Sequence, residues 1–190
     1  RRVNEKDLAE LDLSCWRVAG IGAEPISAEQ LHQFAECFRQ VNFDDKTFMP
    51  CYGLAENALA VSFSDEGSGV VVNEVDRDIL EYQGKAVAPG AETRAVSTFV
   101  NCGKALPEHG IEIRNEAGMP VAERVVGHIC ISGPSLMSGY FGDQVSQDEI
   151  AATGWLDTGD LGYLLDGYLY VTGRIKDLII IRGRNIWPQD

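Results

Sequence analysis

Asp166-Gly167 sits between two runs of apolar and aromatic residues, Tyr163-Leu164-Leu165 and Tyr168-Leu169-Tyr170-Val171. Such a dipeptide enters left-handed backbone at little cost and suits the twist of paired strands, so it predicts a tight antiparallel hairpin over 163–171. A lone hairpin is marginal in water and needs further strands around it. Ile111-Glu112-Ile113-Arg114 with the turn Asn115-Glu116-Ala117-Gly118, His128-Ile129-Cys130-Ile131-Ser132, and Asp177-Leu178-Ile179-Ile180-Ile181 are the candidates. From about Val70 onward, strand-like runs alternate with turn signals and helix signals are scarce.

The first third reads differently. Ser27-Ala28-Glu29-Gln30 is a capping box. It opens a helix whose apolar stripe is Leu31, Phe34, Ala35 and Phe38, at spacings of three and four. Trp16-Arg17-Val18-Ala19-Gly20 before it reads as a short strand ending in the loop Gly20-Ile21-Gly22-Ala23. A second strand–loop–helix unit is expected around Phe48 to Val61. The fold class is therefore α/β, an α/β portion followed by a β-rich subdomain.

Charge and length remove several function classes. The 190 residues carry 16 Lys+Arg against 29 Asp+Glu, a net charge of −13. Nucleic acid is disfavoured as a partner, because binding it requires a basic face and counterion release. No apolar run approaches the roughly 18 residues of a membrane span, and Arg1-Arg2-Val3-Asn4-Glu5 is no signal peptide. The 5 cysteines form no CxxC pair, which argues against a zinc site or a disulfide framework. Reduced, mostly buried thiols in a cytoplasmic protein are expected. The chain begins without a preceding element and stops at Trp187-Pro188-Gln189-Asp190 just after a strand, as a piece of a larger protein would.

Three clusters could carry chemistry. Gly154-Trp155-Leu156-Asp157-Thr158-Gly159-Asp160 sets two carboxylates and a hydroxyl beside a glycine. It could chelate the vicinal hydroxyls of a sugar or a cation, although calcium would want more oxygens at regular offsets, or simply form an Asx-type turn leading into the hairpin. Thr172-Gly173-Arg174-Ile175-Lys176-Asp177 and Arg182-Gly183-Arg184 make residues 161–190 locally basic, with 4 basic and 3 acidic side chains against 12 and 26 in the first 160. That is a candidate anion site or a solvated hairpin end. Cys51-Tyr52-Gly53-Leu54-Ala55-Glu56 offers an aromatic platform, a glycine and an acid at a helix start. Glu56 could hold a metal there; in the other reading Tyr52 is core and Glu56 only favours the helix N-terminus.

Together, YGLAE, GPSLMSGY, GWLDTGD and GRIKDLIIIRGRNIWPQD resemble, in order, the adenylate-forming acyl synthetases: acyl-CoA synthetases, luciferases and adenylation domains. Within that superfamily the chain looks most like the fatty acyl-AMP ligases, and the resemblance runs from WRVAGIGAEPIS to Asp190. It implies ATP and Mg²⁺ as cofactors, a fatty acid as substrate, and an acyl carrier protein as acceptor, with coenzyme A as the alternative. Gly22, Ala23 and Glu24 match the loop lining the adenine pocket. Tyr52, followed by Gly53, matches the aromatic flanking the adenine ring. Glu56 matches the carboxylate that helps hold Mg²⁺, Asp160 the acid that grips both ribose hydroxyls, and Arg174 the arginine at the ribose and phosphates. Lys176 falls at the hinge.

The chain departs from the pattern at three positions. Ala55 stands where many relatives have Thr, His128 where a glutamate is usual, and Ile21 where the adenine loop is commonly polar. Between Glu56 and Gly103 lie 46 residues, including Asn73-Glu74-Val75-Asp76-Arg77-Asp78-Ile79-Leu80, which resembles the segment peculiar to fatty acyl-AMP ligases; an ordinary surface loop is the other reading. The resemblance divides the chain into 1–69 (α/β), 70–102 (ligase-specific insertion and return strand), 103–173 (β-rich) and 174–190 (hinge and first strand of a further domain). Neither the family's Gly/Ser/Thr-rich phosphate loop nor its C-terminal catalytic lysine lies within the 190 residues. These residues alone are therefore expected to form no acyl-adenylate. A binding module that keeps a nucleotide pocket without turnover is the reading from another class.

Overall fold

Strands β1 (Ala19–Ile21) and β2 (Phe48–Tyr52) run parallel, with Ala19 opposite Phe48 and Ile21 opposite Pro50. The computed structural model that shows this describes residues 8–181 and 184–186, so Arg182, Gly183 and Trp187–Asp190 of the sequence reading lie outside the described residues. Parallel neighbours need a crossover. Helix α1 (Ala28–Phe38) supplies it, with Ser27 Oγ accepting from Gln30 N at 3.3 Å as the capping box requires. Its apolar stripe, Leu31, Phe34, Ala35 and Phe38, packs with Phe43 and Phe48. The Phe34 and Phe43 rings meet edge to face at 5.2 Å.

Two short strands, β3 (Ser62–Phe63) and β6 (Lys104–Ala105), extend this sheet antiparallel in the order β1-β2-β3-β6. The expected helix after β2 does not form. The chain makes one 3-10 turn at Ala55–Asn57 and returns at once, Val61 N donating to Tyr52 O at 3.0 Å. β1 also starts later than the sequence suggested, since Trp16–Val18 have no strand partner.

The β-rich portion is an antiparallel meander of β7 (Gly110–Arg114), β8 (Gly127–Ser132), β9 (Leu156–Leu165) and β10 (Tyr168–Arg174), in the order β10-β9-β8-β7. The expected hairpin is its final turn, with φ 53° at Asp166 and 76° at Gly167, both left-handed as a primed turn demands. Ile113, Ile129, Ile131 and Leu169 from this sheet pack against Tyr52, Val61 and Cys102, so the two sheets share one core. Main-chain bonds between Cys102 and Leu169, and between Leu169 and Gly103, stitch them together. The α/β portion leading into a β-rich subdomain is thus borne out.

Residues 70–102 are not a surface loop. β4 (Val72–Asp76) pairs antiparallel with β5 (Val96–Val100), and helix α2 (Arg77–Gln83) follows β4 directly. Val75, Leu80 and Phe99 bury themselves against Tyr163 and Tyr170 of the β9–β10 hairpin. Glu81 on α2 is 1% exposed and pairs with Arg184 of β12 (Arg184–Ile186), which pairs in turn with β11 (Ile179–Ile181). Helix α3 (Gln144–Thr153) precedes β9. The scarcity of helices expected after Val70 is corrected by α2 and α3, which carry short or weak apolar stripes. Of the cysteines, Cys15 and Cys37 are exposed, Cys51 half-buried, and only Cys102 and Cys130 buried. Among the described residues, no helix is long and apolar enough to cross a membrane.

Candidate functional site

Ligands of α/β sheets gather beyond the carboxyl ends of parallel strands. β1 ends there at Ile21 and releases Gly22-Ala23-Glu24; β2 ends at Tyr52 and releases Gly53 to Glu56. The parallel register sets these segments side by side. Gly22 lies so close to its neighbour strand that a Cβ would meet Cys51 O and Sγ at 2.9 Å. The Cys51 thiol donates to Ile21 O at 3.2 Å and ties the two strand ends. Ala23 takes φ 69° and, like Glu24, is exposed.

The GWLDTGD segment enters from β9. Gly154, φ 72°, ends α3 by donating its N–H to Ile150 O at 2.8 Å. The β8–β9 pairing slips between His128 and Cys130, so that Thr158, Gly159 and Asp160 span the place of one residue. Thr158 Oγ donates to Ile129 O at 2.9 Å and accepts from Asp160 N at 3.2 Å. The two acids divide the alternatives between them. Asp157 makes the Asx-type turn, accepting from Gly159 N at 2.9 Å, and also meets His128 Nδ1 at 2.7 Å. His128 thus serves a cross-strand contact.

Asp160 is only 8% exposed and reaches back across the core. Tyr52 Oη donates to its Oδ2 at 2.7 Å, and Arg174, its cross-strand partner on β10, approaches Oδ1 with Nε at 3.1 Å. Burial, and after it the negative charge of Asp160, pushes the Tyr52 phenol well above its usual value, so it stays a donor. Each carboxylate oxygen retains a further lone pair, which leaves room for two hydroxyl donors, the pattern of a ribose 2′,3′-diol.

Glu56 lies on the 3-10 turn. Gly53 makes that turn possible: a Cβ there would sit 1.7 Å from Leu59 O. Ala58 and Leu59 follow at φ 49° and 89°, strained values for residues with side chains. The Glu56 carbonyl accepts from Met137 N at 2.8 Å and its Oε1 from Tyr140 Oη at 2.7 Å. That hydrogen bond is the main reason the Tyr140 phenol is raised above its usual value. Glu56 forms no ion pair among the described residues, and no three metal-ligating side chains cluster there or elsewhere among them. A single uncompensated carboxylate suits Mg²⁺, which takes one or two protein carboxylates and fills its shell with phosphate and water.

The structure therefore joins Tyr52, Asp160 and Arg174 directly and sets Gly22, Ala23, Glu24 and Gly53 at the neighbouring strand ends. Glu56 is fastened to the 133–140 segment instead. Lys176 stands exposed in the 3-10 turn Ile175–Asp177, two residues beyond Arg174. Sequence reasoning passed over Tyr140, although it closes the GPSLMSGY motif. The Asp65–Tyr168 cavity of about 250 Å³ shares no lining residue with this site.

Two sheets thus bring an aromatic from β2 to an acid and an arginine from β9 and β10, with a lone carboxylate on the turn after β2. The chain belongs to the AMP-binding enzyme family, whose profile matches residues 2–141. A Caulobacter vibrioides protein provisionally named an acyl-CoA synthetase is 46% identical over 192 residues, spanning 100% of this chain and 33% of its own length. The medium-chain-fatty-acid–acyl-carrier-protein ligase JamA of Moorena producens is 38% identical over 200 residues, spanning 100% and 34%. A solved structure from structural and functional studies of fatty acyl-adenylate ligases from E. coli and L. pneumophila superposes with TM-score 0.98 and 99% identity, over 100% of this chain and 34% of that one. The chain thus spans about a third of the length of these relatives.

Proposed function

We propose that the protein containing this chain activates a fatty acid with ATP as an acyl-adenylate and passes the acyl group to the thiol of an acyl carrier protein. The observation that carries this is the convergence of Tyr52, Asp160 and Arg174 at the carboxyl end of a parallel strand. In the first step a carboxylate oxygen of the fatty acid bonds to the α-phosphorus and the bond to pyrophosphate breaks. In the second the thiol sulfur bonds to the acyl carbon and AMP leaves.

Charge grows on phosphate oxygens during the first step, so positioning and cations matter more than a general base. Asp160 accepts the ribose hydroxyls, and Tyr52 with the 22–24 loop flanks the adenine. Arg174 is near enough to Asp160 to reach the ribose and phosphates. Glu56 would hold Mg²⁺, which when bound neutralises phosphate charge. Lys176 would be the hinge for a further domain, and residues 70–102 the ligase-specific segment. The 190 residues alone would form no acyl-adenylate.

The test is Asp160→Ala in the full-length protein. Fatty-acid-dependent pyrophosphate exchange should fall by at least about a hundredfold, the scale of a lost transition-state contact; unchanged exchange sinks the reading. JamA's name supports a carrier-protein acceptor, whereas the Caulobacter relative's name favours coenzyme A. Thioester formation with each acceptor separates the two, and efficient acylation of free coenzyme A would reject the carrier reading. Nucleotide binding by the full-length protein with no exchange on any fatty acid would leave a binding module.

A further inference from the structure

Tyr140 has no role in the scheme above, yet the 133–140 segment is built to deliver it. Gly139 takes φ 129°, and a Cβ on it would meet Gln147 Cγ at 2.4 Å and Gln147 Cα at 2.8 Å, so the chain lies flat on the first turn of α3. There the Tyr140 main chain is held on both sides. Its N–H donates to Ser146 Oγ at 3.2 Å, and its carbonyl accepts from Gln147 Nε2 at 2.8 Å and from Asp143 N at 3.2 Å. From this anchorage the side chain spans 84 positions of sequence to reach Glu56 Oε1. Met137 N grips the carbonyl of the same Glu56.

The choice of donor is informative. A lysine or arginine would hold the carboxylate equally well but cancel its charge. A phenol takes one lone pair, fixes the rotation of the group, and leaves the charge whole. We propose that Tyr140 is a positioning residue for Glu56: it clamps Oε1 so that Oε2 stays open, in a fixed direction, to a divalent cation on a nucleotide. The inference rests on the reading of Glu56 as the Mg²⁺-holding carboxylate.

Calorimetric titration of the full-length protein with MgATP and with metal-free AMP, in wild type, Tyr140→Phe, Glu56→Gln and the double variant, tests it. Tyr140→Phe should weaken MgATP about five- to tenfold, the scale of one charge-assisted hydrogen bond, and leave AMP within about twofold. In the Glu56→Gln background the same change should do nothing further to MgATP. If Glu56→Gln weakens MgATP and Tyr140→Phe does not, the proposal fails while the reading of Glu56 stands. A Tyr140→Phe effect that strikes AMP equally, or persists without the Glu56 charge, shows a phenol that only braces the fold and overturns the proposal. If Glu56→Gln leaves MgATP affinity unchanged, the metal-holding reading falls and the proposal with it.

Discussion

Two carboxylates in this molecule each accept a hydrogen bond from a tyrosine at 2.7 Å, and their surroundings are opposite. Asp160 is buried in a β-sheet, flanked by a bulge, and shares its charge with Arg174. Glu56 is half-buried on a strained turn, with no cation beside it among the described residues. The first is suited to recognising a neutral diol, because its charge is already balanced and its geometry fixed. The second is suited to a cation, because its charge is not balanced. The same pair of groups thus acquires different chemistry from burial and from the presence or absence of one arginine.

The harshest way to break the Glu56 end is Gly53→Ala. The new methyl would meet the Leu59 carbonyl, main chain that cannot turn aside, so a loss of about 3 kcal/mol or more is expected in urea unfolding of the full-length protein. A loss under about 1 kcal/mol would show that the turn gives way. At the other end, Tyr52→Phe leaves the buried Asp160 without its donor on Oδ2. It should cost about 1–3 kcal/mol of stability. The ATP KM should also rise about tenfold, the scale of one lost hydrogen bond to a charged group.

Alkali sharpens the contrast. The folded chain holds the Tyr52 proton above the usual tyrosine value of about 10, where the unfolded chain releases it. The stability this group contributes is whole below about pH 10 and is lost as the pH rises past it. Urea midpoints should therefore fall more steeply above that pH in wild type than in Tyr52→Phe; equal slopes would place the alkaline sensitivity elsewhere. The smallest effect belongs to Tyr140→Phe. At an exposed site it should shift stability by no more than about 0.5 kcal/mol, whatever it does to metal-nucleotide affinity. A loss matching that of Tyr52→Phe would erase the difference between the two ends.

Much of the fold was legible where one short stretch holds the whole instruction. The Ser27 cap and the helix it opens, the Asn115–Gly118 turn and the Asp166-Gly167 hairpin all appear as read. Helices α2 and α3 were missed because their apolar stripes are weak, although their ends were marked. Asp76 and Asp143 cap their first turns, and Gly84 and Gly154 close them in left-handed backbone. Of the unit read over Phe48 to Val61 the strand forms as β2, and its helix fails to form for a different reason. Nothing local told that Gly53 would be needed for close approach to Leu59, which turns the chain back into β3 instead of forward into a helix.

The site divides in the same way. By itself the sequence singled out the residues to which the chemistry is assigned in the proposal, because carboxylates, aromatics and arginines have their properties wherever they stand, and it determined the family through their order. It also determined the Asn115–Gly118 and Asp166-Gly167 turns, since these depend on φ and ψ preferences of adjacent residues. Only the tertiary structure decided that Tyr52 would donate to an acid 108 positions away, and that Tyr140 would meet Glu56 across 84. The first comes from strand register and the packing of two sheets on one core, the second from the anchorage of the 133–140 segment on helix α3. Both are sums over many distant contacts, and no short stretch of sequence contains them.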